Sequence, residues 1–113
     1  MAKNRNKLID AFIGNTATAI VHEILEEAAN DETLRKYYDK EFMNSFSIAK
    51  KYRKEINPAD KPLKLKDRIS IKEKIISKVR NELNLRISKG YKNLDPGKAI
   101  PYTEKIIKDL KIE

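Results

Sequence analysis

The chain has 113 residues, no cysteine and a formal net charge of +8, with 37% charged and 40% hydrophobic side chains. Such a length fits one domain, residues 1–113, able to bury its own core. Without cysteine there is no disulfide framework, no thiol nucleophile and no thiolate metal site, and the clustering of the apolar residues argues against disorder.

The first predicted helix covers about residues 4–29. Leu8, Ile9, Phe12, Ile13, Ala17, Ile20, Val21, Ile24, Leu25 and Ala28 recur at three- and four-residue spacing with no proline between them. They cover more than half of a helical wheel, so this helix is expected to be central and to touch two or more neighbours. Gly14 either costs about 1 kcal/mol relative to alanine or marks close approach of a neighbouring helix. Lys3, Arg5 and Lys7 ahead of the apolar run have the look of a signal peptide, but Asp10, Asn15, Thr16 and Thr18 interrupt it. No stretch reaches the ~18 uninterrupted apolar residues of a membrane span, and a cytoplasmic location is expected.

Asn30-Asp31 reads as a break, with Asn30 suited to a left-handed helix end and Asp31 to capping the next helix. The second predicted helix covers about 32–56. Leu34, Tyr37, Tyr38, Phe42, Ser45, Ile48, Ala49, Tyr52 and Ile56 make its apolar face, and Met43 and Phe46 lie outside that stripe. Asn57-Pro58 ends it, because the residue before proline is pushed out of helical geometry. A lysine-rich connection follows. The third predicted helix covers about 68–89, starting at Asp67 or at Ser70, where Ser70 and Glu73 form a capping-box pair. Its predicted core face is Ile69, Ile76, Val79, Leu83 and Ile87, with Ile75 on a flank and Ile71 and Leu85 on the far side. Gly90 is its expected left-handed terminator. Asp95-Pro96-Gly97 signals a turn, and a short helix is predicted over about 101–111. The fold class is therefore an all-α antiparallel bundle of three long helices and one short one.

Catalytic chemistry has little to work with. His22 is the only histidine and falls with Asn15, Thr18 and Glu26 on the polar side of its helix, the position of a solvated surface residue. With no cysteine and no second histidine, a zinc site would rest mostly on carboxylates and a di-iron bundle would lack its paired Glu-x-x-His motifs, so no metal or cofactor is expected. Three glycines, at 14, 90 and 97, exclude a glycine-rich phosphate loop. Glu41, on the apolar face near Ser45, could support acid–base work if its pKa were raised; pairing with a neighbouring basic residue is the commoner use. The composition points away from an enzyme.

Charge is the feature that stands out. Twelve of the 25 Lys and Arg, but only four acids, fall between Lys50 and Arg80, so this stretch holds the entire net charge. Lys50, Lys51, Arg53 and Lys54 end one helix, Lys61 and Lys64 lie in the connection, and Lys66, Arg68, Lys72 and Lys74 begin the next. If the connection is compact, these ten residues form one corner suited to the phosphate backbone of DNA or RNA. Lysine outnumbers arginine there, which favours backbone attraction over base readout. A second expectation belongs to a different class: Met43, Phe46, Ile71 and Leu85, lying off the core faces, would form a homodimer contact or dock a helical protein partner. A membrane-surface role for the same lysines ranks below both, since the third helix has its apolar residues on two faces.

Overall fold

A computed structural model describes residues 5–56 and 63–112. Of these, 85% are helical and none lies in a strand. The helices are α1 (Arg5–Ala28), α2 (Glu32–Ile56), α3 (Leu65–Ser88) and α4 (Ala99–Asp109), the last entered through a 3-10 turn, Pro96–Lys98. The three long helices and the short C-terminal one match the predicted architecture.

α1 is the central element. Phe12, Ile13, Ala19, Ile20 and Ile24 are almost completely buried, as are Thr16 and Ala17. A helix apolar over most of its circumference must be wrapped by others, and α2, α3 and α4 all pack on it. By length and mean hydropathy α1 would also pass as a membrane span, yet 56% of its most apolar window is buried within the bundle, which is the work of a central helix. Burying each large aliphatic side chain contributes about 1.5–3 kcal/mol. α2 has a narrower role: it lies along α1 and hardly touches α3 or α4. Only Ser45, Ala49 and Arg53 of α2 are buried, whereas Leu34, Tyr37 and Ile48 of its expected apolar face are 44%, 55% and 41% exposed.

The helix ends follow local chemistry in most places. Asp31 caps α2, accepting from the Thr33 amide at 2.8 Å through Oδ1. Asn30 does not adopt the left-handed conformation expected of it; among the described residues positive φ occurs at Gly90, Asn93 and Lys111. Gly90 (φ 99°) ends α3 as predicted, with its amide bonded to Ile87 O and the Tyr91 amide to Arg86 O, the paired bonds of a Schellman end. α4 ends in the same way around a non-glycine. Lys111 has φ 58°, its amide reaches Lys108 O at 3.1 Å and the Ile112 amide reaches Ile107 O at 3.0 Å. The left-handed region disfavours a lysine; the fully buried Ile112 side chain anchors this turn against that cost.

α3 departs from the sequence reading in two ways. It begins at Leu65, with Lys64 in the cap position making no side-chain cap bond, so Ser70 and Glu73 sit inside the helix instead of capping it. Leu63 is buried, and its amide meets Ile112 O at 3.4 Å. That anchor lets the helix start before the capping pair, and Asp67 supplies the acidic side chain of its first turn. The buried face is also rotated. Ile71, Ile75, Val79 and Leu83 are almost completely buried, while Ile69 and Ile87 are 50% and 39% exposed. Ile71, expected on the far side, is a core residue. The four buried positions form one continuous four-residue ridge, the row that packs most readily against a crossing helix. Ile69 and Ile87 lie near the ends of a 24-residue helix whose flanking partner, α4, has only 11 residues.

Candidate nucleic-acid interface

The topology gathers four helix termini at one end of a molecule 44 Å long. α1 and α3 both start there, tied by Arg5 Nη2 donating to Asp67 Oδ2 at 2.8 Å. α2 and α4 both end there, tied by Arg53, whose Nε donates to Leu110 O at 3.0 Å and whose Nη2 donates to Lys111 O at 2.8 Å. Arg53 is 2% exposed. It is therefore not part of a binding surface; its guanidinium closes the carbonyl end of α4, where a cation is favoured by the helix dipole.

The other nine basic candidates fare differently. Lys50, Lys51, Lys54, Lys64, Lys66 and Lys74 are exposed. Arg68 is half-buried, with its Nε shielded from solvent. Lys72 is half-buried and 4.0 Å from Glu104, so part of its charge is spent within the bundle. Lys61 lies outside the described residues. The structure adds cations that the Lys50–Arg80 reading left out. Lys111 lines a shallow groove of about 270 Å³ with Lys50, Arg53 and Lys54, and Lys108 occupies the last turn of α4. On the α1 and α3 side, Arg5 and Lys74 border a second groove of about 370 Å³ that also contains Asp10 and Asp67. The charge is thus arranged around the end of the bundle, with Asp67 and Asp109 set among the cations. No family model, curated protein or solved structure matches the chain.

The four apolar interface candidates do not form one patch. Ile71 is core. Phe46 is half-buried, stacked on Phe42 at 5.5 Å between ring centroids and covered by Lys50, whose Nζ is 4.8 Å from its ring. Met43 is 61% exposed and Leu85 48% exposed, but they belong to α2 and α3, which hardly meet. Tyr37 and Tyr91 are exposed. They sit toward the opposite end of the bundle, with Tyr37 about 21 Å along the helix axis from Lys51.

Two titratable side chains perturbed by burial, His22 and Tyr38, lie toward that opposite end. His22 is not the freely solvated residue expected. It is half-buried, 6.1 Å from the Tyr38 ring, and its Nδ1 is shielded without a well-formed hydrogen bond. Burial and then the Arg86 charge lower its pKa from the ordinary value, against weaker opposing pulls from Glu41, the Thr18 carbonyl and Glu82. Burial likewise raises the pKa of Tyr38, with Tyr91 adding to the shift. Among the described residues no group of three or more His, Asp or Glu is placed to hold a metal ion.

Proposed function

We propose that the protein is a small non-enzymatic module that holds a nucleic-acid phosphate backbone at the basic end of its bundle, alone or within a nucleoprotein assembly. The observation carrying this reading is the meeting of the exposed lysines of α2, Lys50, Lys51 and Lys54, with Lys111 just past the end of α4, next to the start of α3 with Lys64 and Lys66. Lysine ammonium groups act as point charges on phosphate, and of the arginines nearby Arg53 is engaged on carbonyls and Arg5 on Asp67, while Arg68 is half-buried. Bidentate base readout therefore has little support, and sequence-independent backbone contact has more. Exposed tyrosines lie at the other end, so base stacking is not supported either, which favours duplex over single strand.

If the exposed lysines neutralise about five phosphates, log K falls against log salt with a slope near −4.5, and raising salt from 50 to 200 mM weakens binding roughly 500-fold. Fluorescence anisotropy with a 20-base-pair duplex tests this. Lys64→Glu with Lys66→Glu should weaken binding and flatten the slope by about two. Absence of binding at 50 mM salt, or a slope near zero, would overturn the reading.

A second reading rests on one side of α2, where Leu34, Tyr37 and Ile48 are exposed on a helix supported by one neighbour. It makes the protein an interaction bundle that covers α2 with a second copy. Light scattering showing only monomer at high concentration would remove it.

A further inference from the structure

A cleft of about 640 Å³ opens between α1 and α3, away from the basic end. Its floor is made by Gly14, Ala17 and Val21 of α1, and Leu85 of α3, 48% exposed, stands on its wall. Nothing lies within 4 Å of where a Gly14 side chain would begin, so the glycine permits no close helix approach. It leaves the floor open. The polar groups around the cleft are mostly donors. Lys78 has no ion-pair partner among the described residues, and the Asn81 amide lines the same wall. Arg86 is held in place: its Nε donates to Glu82 Oε1 at 3.1 Å and its guanidinium carbon lies 5.4 Å from the Tyr91 ring centroid. Those contacts leave its Nη groups to donate. His22, with its shielded Nδ1 lacking a well-formed bond, completes that end.

We infer that this cleft binds an amphipathic organic anion, a carboxylate or sulfonate with an apolar body. The head belongs beside Arg86 and His22, and the apolar body over Ala17, Gly14 and Leu85. The Gly14-to-His22 floor runs about 12 Å along α1, and the volume is within the usual range of small-molecule sites. Two cations, Arg86 and Lys78, face one carboxylate, Glu82, around the cleft, and the net positive charge selects an anion over a cation of equal chain length.

The test is an amide-resolved NMR titration of the full chain with decanoate, and in parallel with decyltrimethylammonium. Decanoate should give saturable shifts centred on Gly14, Thr18, Asn81 and Leu85, while the ammonium compound gives none. Arg86→Gln should weaken decanoate at least tenfold. Gly14→Leu should do the same by filling the floor, and its dispersed spectrum would show that the fold persists. Equal binding of the cation would overturn the assignment, as would shifts centred on Lys50, Lys54 and Lys66, or a Gly14→Leu protein that binds like the parent.

Discussion

Replacing Arg53 with alanine separates a structural charge from a binding charge. The side chain is 2% exposed and donates to the carbonyls of Leu110 and Lys111. Truncation leaves two carbonyls at the closed end of α4 without their donor, at about 1–3 kcal/mol each, and removes the packing of the aliphatic stem. A total near 3–4 kcal/mol is expected, and roughly 4 °C of melting temperature per kcal/mol for a chain of this size gives a loss of more than 10 °C. Urea unfolding followed by circular dichroism at 222 nm measures it. Lys54→Ala, one residue on and exposed, is the control and should stay within about 0.5 kcal/mol of the parent. Arg53→Lys should recover less than half of the loss, because an ammonium group cannot span two carbonyls as the guanidinium fork does. An Arg53→Ala protein as stable as Lys54→Ala would refute the capping role and return Arg53 to the binding surface.

Three other outcomes follow from the same geometry. Gly14→Ala should stabilise the protein by about 0.5–1 kcal/mol, read as a higher urea midpoint, because the position is interior to a helix and open above; destabilisation would mean the glycine is there for packing. Ile71→Lys should abolish the cooperative fold, at more than about 4 kcal/mol, since the residue is 1% exposed, whereas Met43→Lys at 61% exposure should be nearly neutral; equal effects in thermal melts would contradict the core assignment. For His22, folding lowers the pKa below the ordinary 6.5, so the unfolded chain takes up the proton first. Its contribution to stability is complete above pH 6.5 and is lost as pH falls through the folded pKa. The urea midpoint of the parent should therefore drop between pH 7.5 and 5.5 more than that of His22→Gln, and parallel losses would rule the histidine out as the cause.

Helix number, order and class could be read from the sequence because each long helix carries its own periodicity and punctuation: Asp31 as a cap, Gly90 as a terminator, Asp95-Pro96-Gly97 as a turn. The rotation of α3 could not. Val79 and Leu83 belong to the expected face and to the buried one; what periodicity alone does not decide is whether they are joined by Ile69, Ile76 and Ile87 or by Ile71 and Ile75. Tertiary packing chooses, because the wide apolar surface of α1 takes a continuous ridge and α4 is too short to cover both ends of the alternative. Periodicity puts His22 on the polar strip of α1, yet that strip faces a cleft between helices, and only the packing of α3 separates a cleft from open solvent.

The basic stretch shows the same limit for charge. Arg53 and Lys54 are adjacent in sequence and about 100° apart around α2. One turns toward the terminal carbonyls of α4, 57 residues away in the chain, and is buried; the other is exposed. Net charge counts the two equally. What distinguishes them is where α4 stops, which depends on a left-handed Lys111 and a buried Ile112 that no local signal announced. The same stop brings Lys111 to the lysines of α2. Thus one arginine leaves the candidate surface and a C-terminal lysine joins it, and the candidate becomes an end of the bundle instead of a segment of the chain. On that geometry the proposed phosphate contact should depend on an intact end of α4: Arg53→Ala, though buried, should weaken duplex binding under conditions where it remains folded, by loosening the turn after α4 that carries Lys111. Affinity unchanged in the folded variant would confine the interface to α2 and α3.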